Sequence, residues 1–187
     1  MKEKIKKIIK VEQIENFAKR LLVGKDEMHD ISHLKRVLIA AKFLSKNYKP
    51  DAEVLTYGAY LHVISYDHKI EIIEFLKSQN LSKQKIDRIV QVGQESKSGS
   101  SKYHVKAETI EGKILHDANL IEGGKTFMVT KSLITGTTKG QSLQQTIDYI
   151  ENNVLGKFKC YLLEAQEAYE KKEKFTKEFL KDLKESL

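Results

Sequence analysis

Three side chains carry ligand chemistry on stretches that otherwise read as core. His33 sits at the edge of a stripe made by Leu34, Leu38 and Ala41, and His62 continues the face of Leu55, Gly58 and Ala59. Asp117 falls between Ile114 and Ile121 at helical spacing. A carboxylate on an apolar stripe is costly unless it is paired or bound to a cation. Two imidazoles and one carboxylate on three core-facing helices could share a divalent cation and leave a position open for water. Each residue alone has a plainer reading, as a hydrogen-bonded core histidine or as an aspartate paired with lysine or arginine. The coincidence of all three is what points to a metal.

The surrounding stretches are "HDISHLKRV" (29–37), "GAYLHVISYDH" (58–68) and "EGKILHDANLIEG" (111–123). Their order and spacing resemble the motifs of the HD-domain superfamily, helical metal-dependent phosphohydrolases whose ligands run His, His-Asp, Asp. The resemblance spans roughly residues 26–123. It implies His33 as the first metal ligand, His62 as the histidine of the namesake pair and Asp117 as the last ligand. Arg36 matches a basic residue one turn after the first ligand, placed to neutralise a phosphate. It also implies a divalent metal ion (Mn, Mg, Co, Fe or Zn) and hydrolysis of a small phosphorylated compound or nucleotide.

The sequence departs from that pattern in three places. The namesake aspartate is Val63, "QVGQES" lacks a further histidine, and the family's Asp-Ala-Asp reads Asp117-Ala118-Asn119. Valine cannot ligate, so one ligand and one negative charge are gone. The alternative reading is therefore a degenerate, non-catalytic HD-fold module that binds a ligand or a partner.

Neighbouring residues could compensate. Asp67 and His68 follow His62 closely, and Asp67 is either a substitute catalytic residue or the cap of the next helix. His29 lies one turn before His33. His116 adjoins Asp117, but adjacent side chains on a helix diverge by about 100°, which turns it toward substrate or solvent. "HDISH" has the i, i+4 histidines of a zinc-protease helix, yet its acid is Asp and no third ligand follows at a familiar spacing. Cys160, in "LGKFKCYLLEA", reads as a packing residue.

Helices must position these groups. Apolar periodicity predicts helices over about 5–23, 31–48 and 52–63, the second capped by Asp30 and the third by Asp51. A fourth runs to Leu76 with Asp67 as its cap, and a fifth from Ser82 to about Val92. "ESKSGSSKYH" reads as a polar loop. Further helices span about 107–121 and 125–134, with Gly123 and Gly124 as a stop signal. "TGTTKGQS" reads as a turn, followed by a helix from Ser142 to about 153. A final helix from about Lys157 to Leu187 changes apolar phase between Tyr169 and Phe175. It should pack on the domain or on a second copy, making a homo-oligomer. No segment alternates with period two. The expected fold is all-α, a compact multi-helix HD-domain-like domain over 1–187 with its core at about 26–123 and C-terminal helices at about 124–187.

Composition sets the outer limits. The formal charge of +7 suits an anionic small ligand. Lysine and glutamate are interleaved, and no arginine-rich or aromatic basic patch appears, which argues against nucleic acid. The single cysteine excludes an internal disulfide and fits a reducing compartment. No stretch approaches the roughly 20 apolar residues of a membrane span, and the charged N-terminus is not a signal peptide. The expected location is the cytoplasm.

Overall fold

The computed structural model describes residues 2–97 and 105–187, with side chains in the first helix from Lys10 onward. The elements are α1 (Lys2–Leu21), α2 (Ile31–Leu44), a 3-10 turn (Ser45–Asn47), α3 (Ala52–Leu61), α4 (Lys69–Ser78), α5 (Lys83–Glu95), α6 (Ile110–Ile121), α7 (Phe127–Thr138), α8 (Leu143–Asn153) and α9 (Leu163–Glu185). The fold is all-α, as the periodicity implied. The side chains of the stripe residues Ile5, Ile8 and Ile9, and most of the "ESKSGSSKYH" loop, lie outside what the structure describes.

Most helices start where a short polar side chain can satisfy an orphan N–H. Asp30 accepts from Ser32 N, and Asp51 from Glu53 N and Val54 N. Ser82 accepts from Lys85 N and Thr109 from Gly112 N. Ser142 and Gln145 close a reciprocal capping box at α8. Helix α6 stops at Gly123 and Gly124, whose φ angles of 71° and 77° suit glycine.

Helix α6 is the axis that α2, α3, α5 and α9 surround. Nearly all its side chains are buried, including the polar Glu111, His116 and Asp117. The main core joins α1 to α6 with the start of α9, and a smaller cluster links Ile147 and Ile150 of α8 to Leu180 of α9. Among the described residues, no helix is long and apolar enough to cross a membrane.

Three expectations need correction. Asp67 does not cap α4: the N-cap position is His68, without a side-chain cap, and Asp67 is exposed. Helix α7 runs through "TGTT" to Thr138 instead of ending at 134, because Gly136 lets α8 come close. A Cβ there would lie 2.2 Å from Thr146 Oγ1. Gly136→Ala should therefore destabilise the protein by about 1–3 kcal/mol through overpacking, measurable by urea unfolding. An unchanged midpoint would mean that α7 and α8 separate freely.

The third correction concerns the C-terminal segment. Helix α9 begins at Leu163, and the chain from Val154 to Leu162 is not helical, with Gly156 at φ 70°. Nor does its buried stripe break phase. It runs Ala165, Tyr169, Lys172, Thr176, Leu180, so the helix keeps one face on the fold while Phe175 and Phe179 are only half-buried. The Lys172 side chain reaches the C-terminus of α6, where Nζ donates to Leu120 O and Glu122 O, both at 2.8 Å. There it satisfies carbonyls that the helix leaves unpaired.

Candidate functional site

His33 on α2 and His62, the residue that closes α3, point at one another. Their Nε2 atoms are 3.1 Å apart, and both rings are buried. The partners at Nδ1 decide the tautomers. His62 Nδ1 lies 2.8 Å from Ala59 O, which only accepts, so that nitrogen carries the proton. His33 Nδ1 lies 2.8 Å from the Glu122 carboxylate and donates likewise. Two neutral rings then present Nε2 lone pairs to each other. Burial pushes the His62 pKa down to about 3. His33 is lowered too, by burial first, against the pull of Glu122.

Glu122 is the charge hub of the site, and motif reading did not single it out. Besides His33, it accepts from Arg36 Nε at 3.0 Å and Lys131 Nζ at 2.6 Å. Burial works to raise its pKa, but hydrogen bonding and charge from His33, with Lys131, outweigh that and hold it down to about 2. Because His33 is itself driven toward neutrality, Lys131 and Arg36 are the cations that balance Glu122 at neutral pH. Lys172 was missed as well. Its place in the heptad-like spacing of Ala165, Tyr169 and Leu180 was the available signal. Burial lowers its pKa to about 8.

The histidine pair lies in the wall of a cavity of about 510 Å³. Val63 and Asn119 also line it, and Lys97, Lys131, Lys139 and Lys172 make it basic. Of the remaining sequence candidates, His29 alone lines the cavity. Asp117 is fully buried but does not line the cavity, and its carboxylate accepts from Tyr161 N, Leu162 N and His116 Nδ1 at 2.7–3.0 Å. Arg36 points its remaining face at the Phe127 ring, 4.6 Å from the centroid, and Nη1 at Ser32 Oγ. Asp67 is exposed in the turn before α4 and outside the cavity lining. His29 lines the cavity but pairs through Nδ1 with Asp26. Cys160 is half-buried, and burial, reinforced by Asp117, pushes its thiol up to about 12.

Solved structures share this architecture. An HD-superfamily hydrolase from Bacillus thuringiensis superposes with a TM-score of 0.72 over 96% of this chain and 97% of its own, at 16% identity. The fold is HD-domain-like. Bacillus subtilis YpgQ in complex with ADP gives a TM-score of 0.74 at 16% identity, covering 95% of this chain and 97% of that one. A Listeria innocua protein, Lin1889, gives 0.69 at 20% identity, covering 93% and 95%. No protein-family model matches the sequence, and no curated protein matches it.

The HD-like fold raises the question of a divalent metal, which the donor set can be asked to hold. The two histidines fit well: each has its Nδ1 proton fixed by an acceptor, as metal-bound imidazoles do. The rest does not fit. Val63 offers no atom, Asn119 is uncharged, Asp117 is committed to three donors, and Glu122 is matched by cations. Among the described residues, no group of three or more His, Cys, Asp or Glu side chains is placed to hold a metal ion. Catalytic zinc sites use three protein ligands, and hard cations such as Mg²⁺ are held through carboxylate oxygens, which the cavity beside the two histidines does not offer free of cations.

Proposed function

We propose that this HD-fold protein binds a small phosphorylated compound and does not hydrolyse it through a resident metal. The observation that carries this reading is the cavity itself: Val63 and Asn119 flank the histidine pair where the family motifs carry aspartates, while four lysines face the same space. Losing two carboxylates removes charge that would hold a cation and repel a phosphate, so the same change weakens metal binding and favours an anion. A volume of about 510 Å³ suits a ligand of nucleotide size.

A second reading, metal-dependent phosphohydrolase, has support in the fixed tautomers of His33 and His62 and in the hydrolase among the neighbours. ADP, present in the YpgQ structure, is a reasonable first probe for both. Under the binding reading, calorimetry detects ADP binding in EDTA, and Lys139→Ala weakens it about threefold to tenfold, as loss of one partly solvated ionic contact should. The double variant Val63→Asp, Asn119→Asp gains divalent-ion affinity that the parent lacks. Hydrolysis of ADP by the parent protein with Mn²⁺ or Mg²⁺, abolished by EDTA, would replace the binding reading with the hydrolase.

A further inference from the structure

Beside the buried histidine pair stands a third imidazole, at the open end of the row. The His29 ring lies 6.1 Å from that of His33, centroid to centroid, and His33 lies 5.0 Å from His62. His33 and His62 are buried, whereas the His29 side chain is 36% exposed and lines the cavity. Its Nδ1 lies 2.9 and 2.8 Å from the two Asp26 oxygens, and Asp26 Oδ1 also accepts from Met28 N at 2.9 Å. Burial works to raise the Asp26 pKa, but the hydrogen bond and charge of His29, with the Met28 amide and the Lys131 charge, lower it. Asp26 is therefore an acceptor, and Nδ1 carries the proton that it accepts. Among the described residues, no hydrogen bond reaches Nε2 on the far side of the ring.

An imidazole held at Nδ1 by a carboxylate, with Nε2 free in a cavity wall, is an oriented acid–base group. Other basic groups of the cavity are more committed. Lys131 Nζ lies 2.6 Å from Glu122, and Lys172 donates to two carbonyls. Lys131 also acts on Asp26 through its charge, so this ammonium and the Asp26–His29 pair border one corner of the cavity. A phosphate seated there meets a cation and an imidazole together. A phosphate monoester loses its last proton at about pH 6. Nε2 and a phosphate oxygen can then share one proton, and the hydrogen bond forms whichever atom holds it.

We infer that His29 contacts the ligand, hydrogen-bonding its phosphate through Nε2, and that Asp26 is the residue that positions the ring. This rests on the binding of a phosphorylated compound proposed above. The test is calorimetry with ADP on the full chain in EDTA, using two substitutions that divide the ring between them. Asparagine places its amide nitrogen where Nδ1 stands and keeps the bond to Asp26, while glutamine reaches to where Nε2 stands. His29→Asn should weaken ADP binding about tenfold, the worth of one charge-assisted hydrogen bond on a partly exposed group. His29→Gln should stay within about threefold of the parent. Inorganic phosphate, as a competitor, should lose affinity in the same order. Asp26→Ala should weaken ADP binding in the parent and add little in His29→Asn, because the two residues act as one unit. In the unsubstituted protein, the His29 Nε2 nitrogen resonance should move on saturation with inorganic phosphate. Parental ADP affinity in His29→Asn, no advantage of His29→Gln over His29→Asn, or an unmoved resonance in the saturated protein overturns the inference and leaves phosphate binding standing. So does a loss of ADP affinity without a loss for inorganic phosphate, which would set His29 against another part of the nucleotide. Failure of the parent to bind either ADP or inorganic phosphate overturns both readings.

Discussion

Replacing Asp117 with alanine is expected to lower the stability of the protein by about 3–5 kcal/mol, the scale for removing one member of a buried charged network. The reason is the number of donors it serves. Tyr161 N, Leu162 N and His116 Nδ1 all point at this one carboxylate, in a place without solvent. Removing it strands two backbone amides and an imidazole N–H. Asp117→Asn should be milder but not neutral, since its NH₂ must face donors. Urea unfolding of both variants measures the effect, and proteolysis between Val154 and Leu162 should rise, because these bonds tie the non-helical approach to α9 onto α6. Were Asp117 a dispensable metal ligand, alanine would leave the unfolding curve in place and alter divalent-ion binding. That outcome would count against the structural role described here.

The second large effect is acid sensitivity above the carboxylate range. His62 has a folded pKa of about 3 and His33 is lowered as well, against an ordinary value of 6.5. The folded state therefore binds fewer protons than the unfolded chain once the pH falls below 6.5. Stability then declines as pH falls, and for His62 the decline continues toward pH 3. The slope approaches about 1.4 kcal/mol per pH unit for each fully neutral buried imidazole once the unfolded chain is protonated, so His62 alone should remove about 2 kcal/mol between pH 6.5 and 4.5. That is a sizeable part of an ordinary domain's 5–15 kcal/mol. Glu122, held at about 2 against 4.5, contributes stability above pH 4.5 and loses it only below that value, so the two effects separate along the pH axis. Unfolding free energies measured at pH 7.5, 6.5, 5.5 and 4.5 should fall steadily, and His62→Gln should flatten the slope. A parent protein equally stable at pH 7 and 4.5 would show that the histidine pair takes up a proton without cost.

The helices were legible because their caps and stripes are local. Asp30, Asp51, Ser82 and Ser142 each open a helix within a residue of the expected start. The meeting of His33 with His62 was also foreshadowed, since each sits on an apolar face beside a recognisable motif. What the sequence concealed depends on partners far along the chain. Asp117 and Asn119 are two residues apart on one helix, so they face different surroundings. Only the packed fold reveals that Asn119 borders the cavity while Asp117 meets Tyr161. Lys172 and Thr176 look like surface residues by type. Their burial follows from the α6 carbonyls that wait for Lys172 and from the Lys172 O that accepts from Thr176. The course of α7 through Gly136 likewise depends on α8.

The seating of α9 by a clamp on α6, with Tyr169 and Lys172 forming cavity wall, also fixes the order in which the protein can become competent during synthesis. Residues 110–138 leave the ribosome well before Tyr161–Lys172. Until those follow, α6 carries a buried carboxylate without its amides, and the basic pocket lacks a side. At about 5–20 residues per second of elongation, that interval lasts a few seconds. A nascent chain in this window carries His33 and His62 but lacks one wall of the cavity, which closes only once α9 has docked.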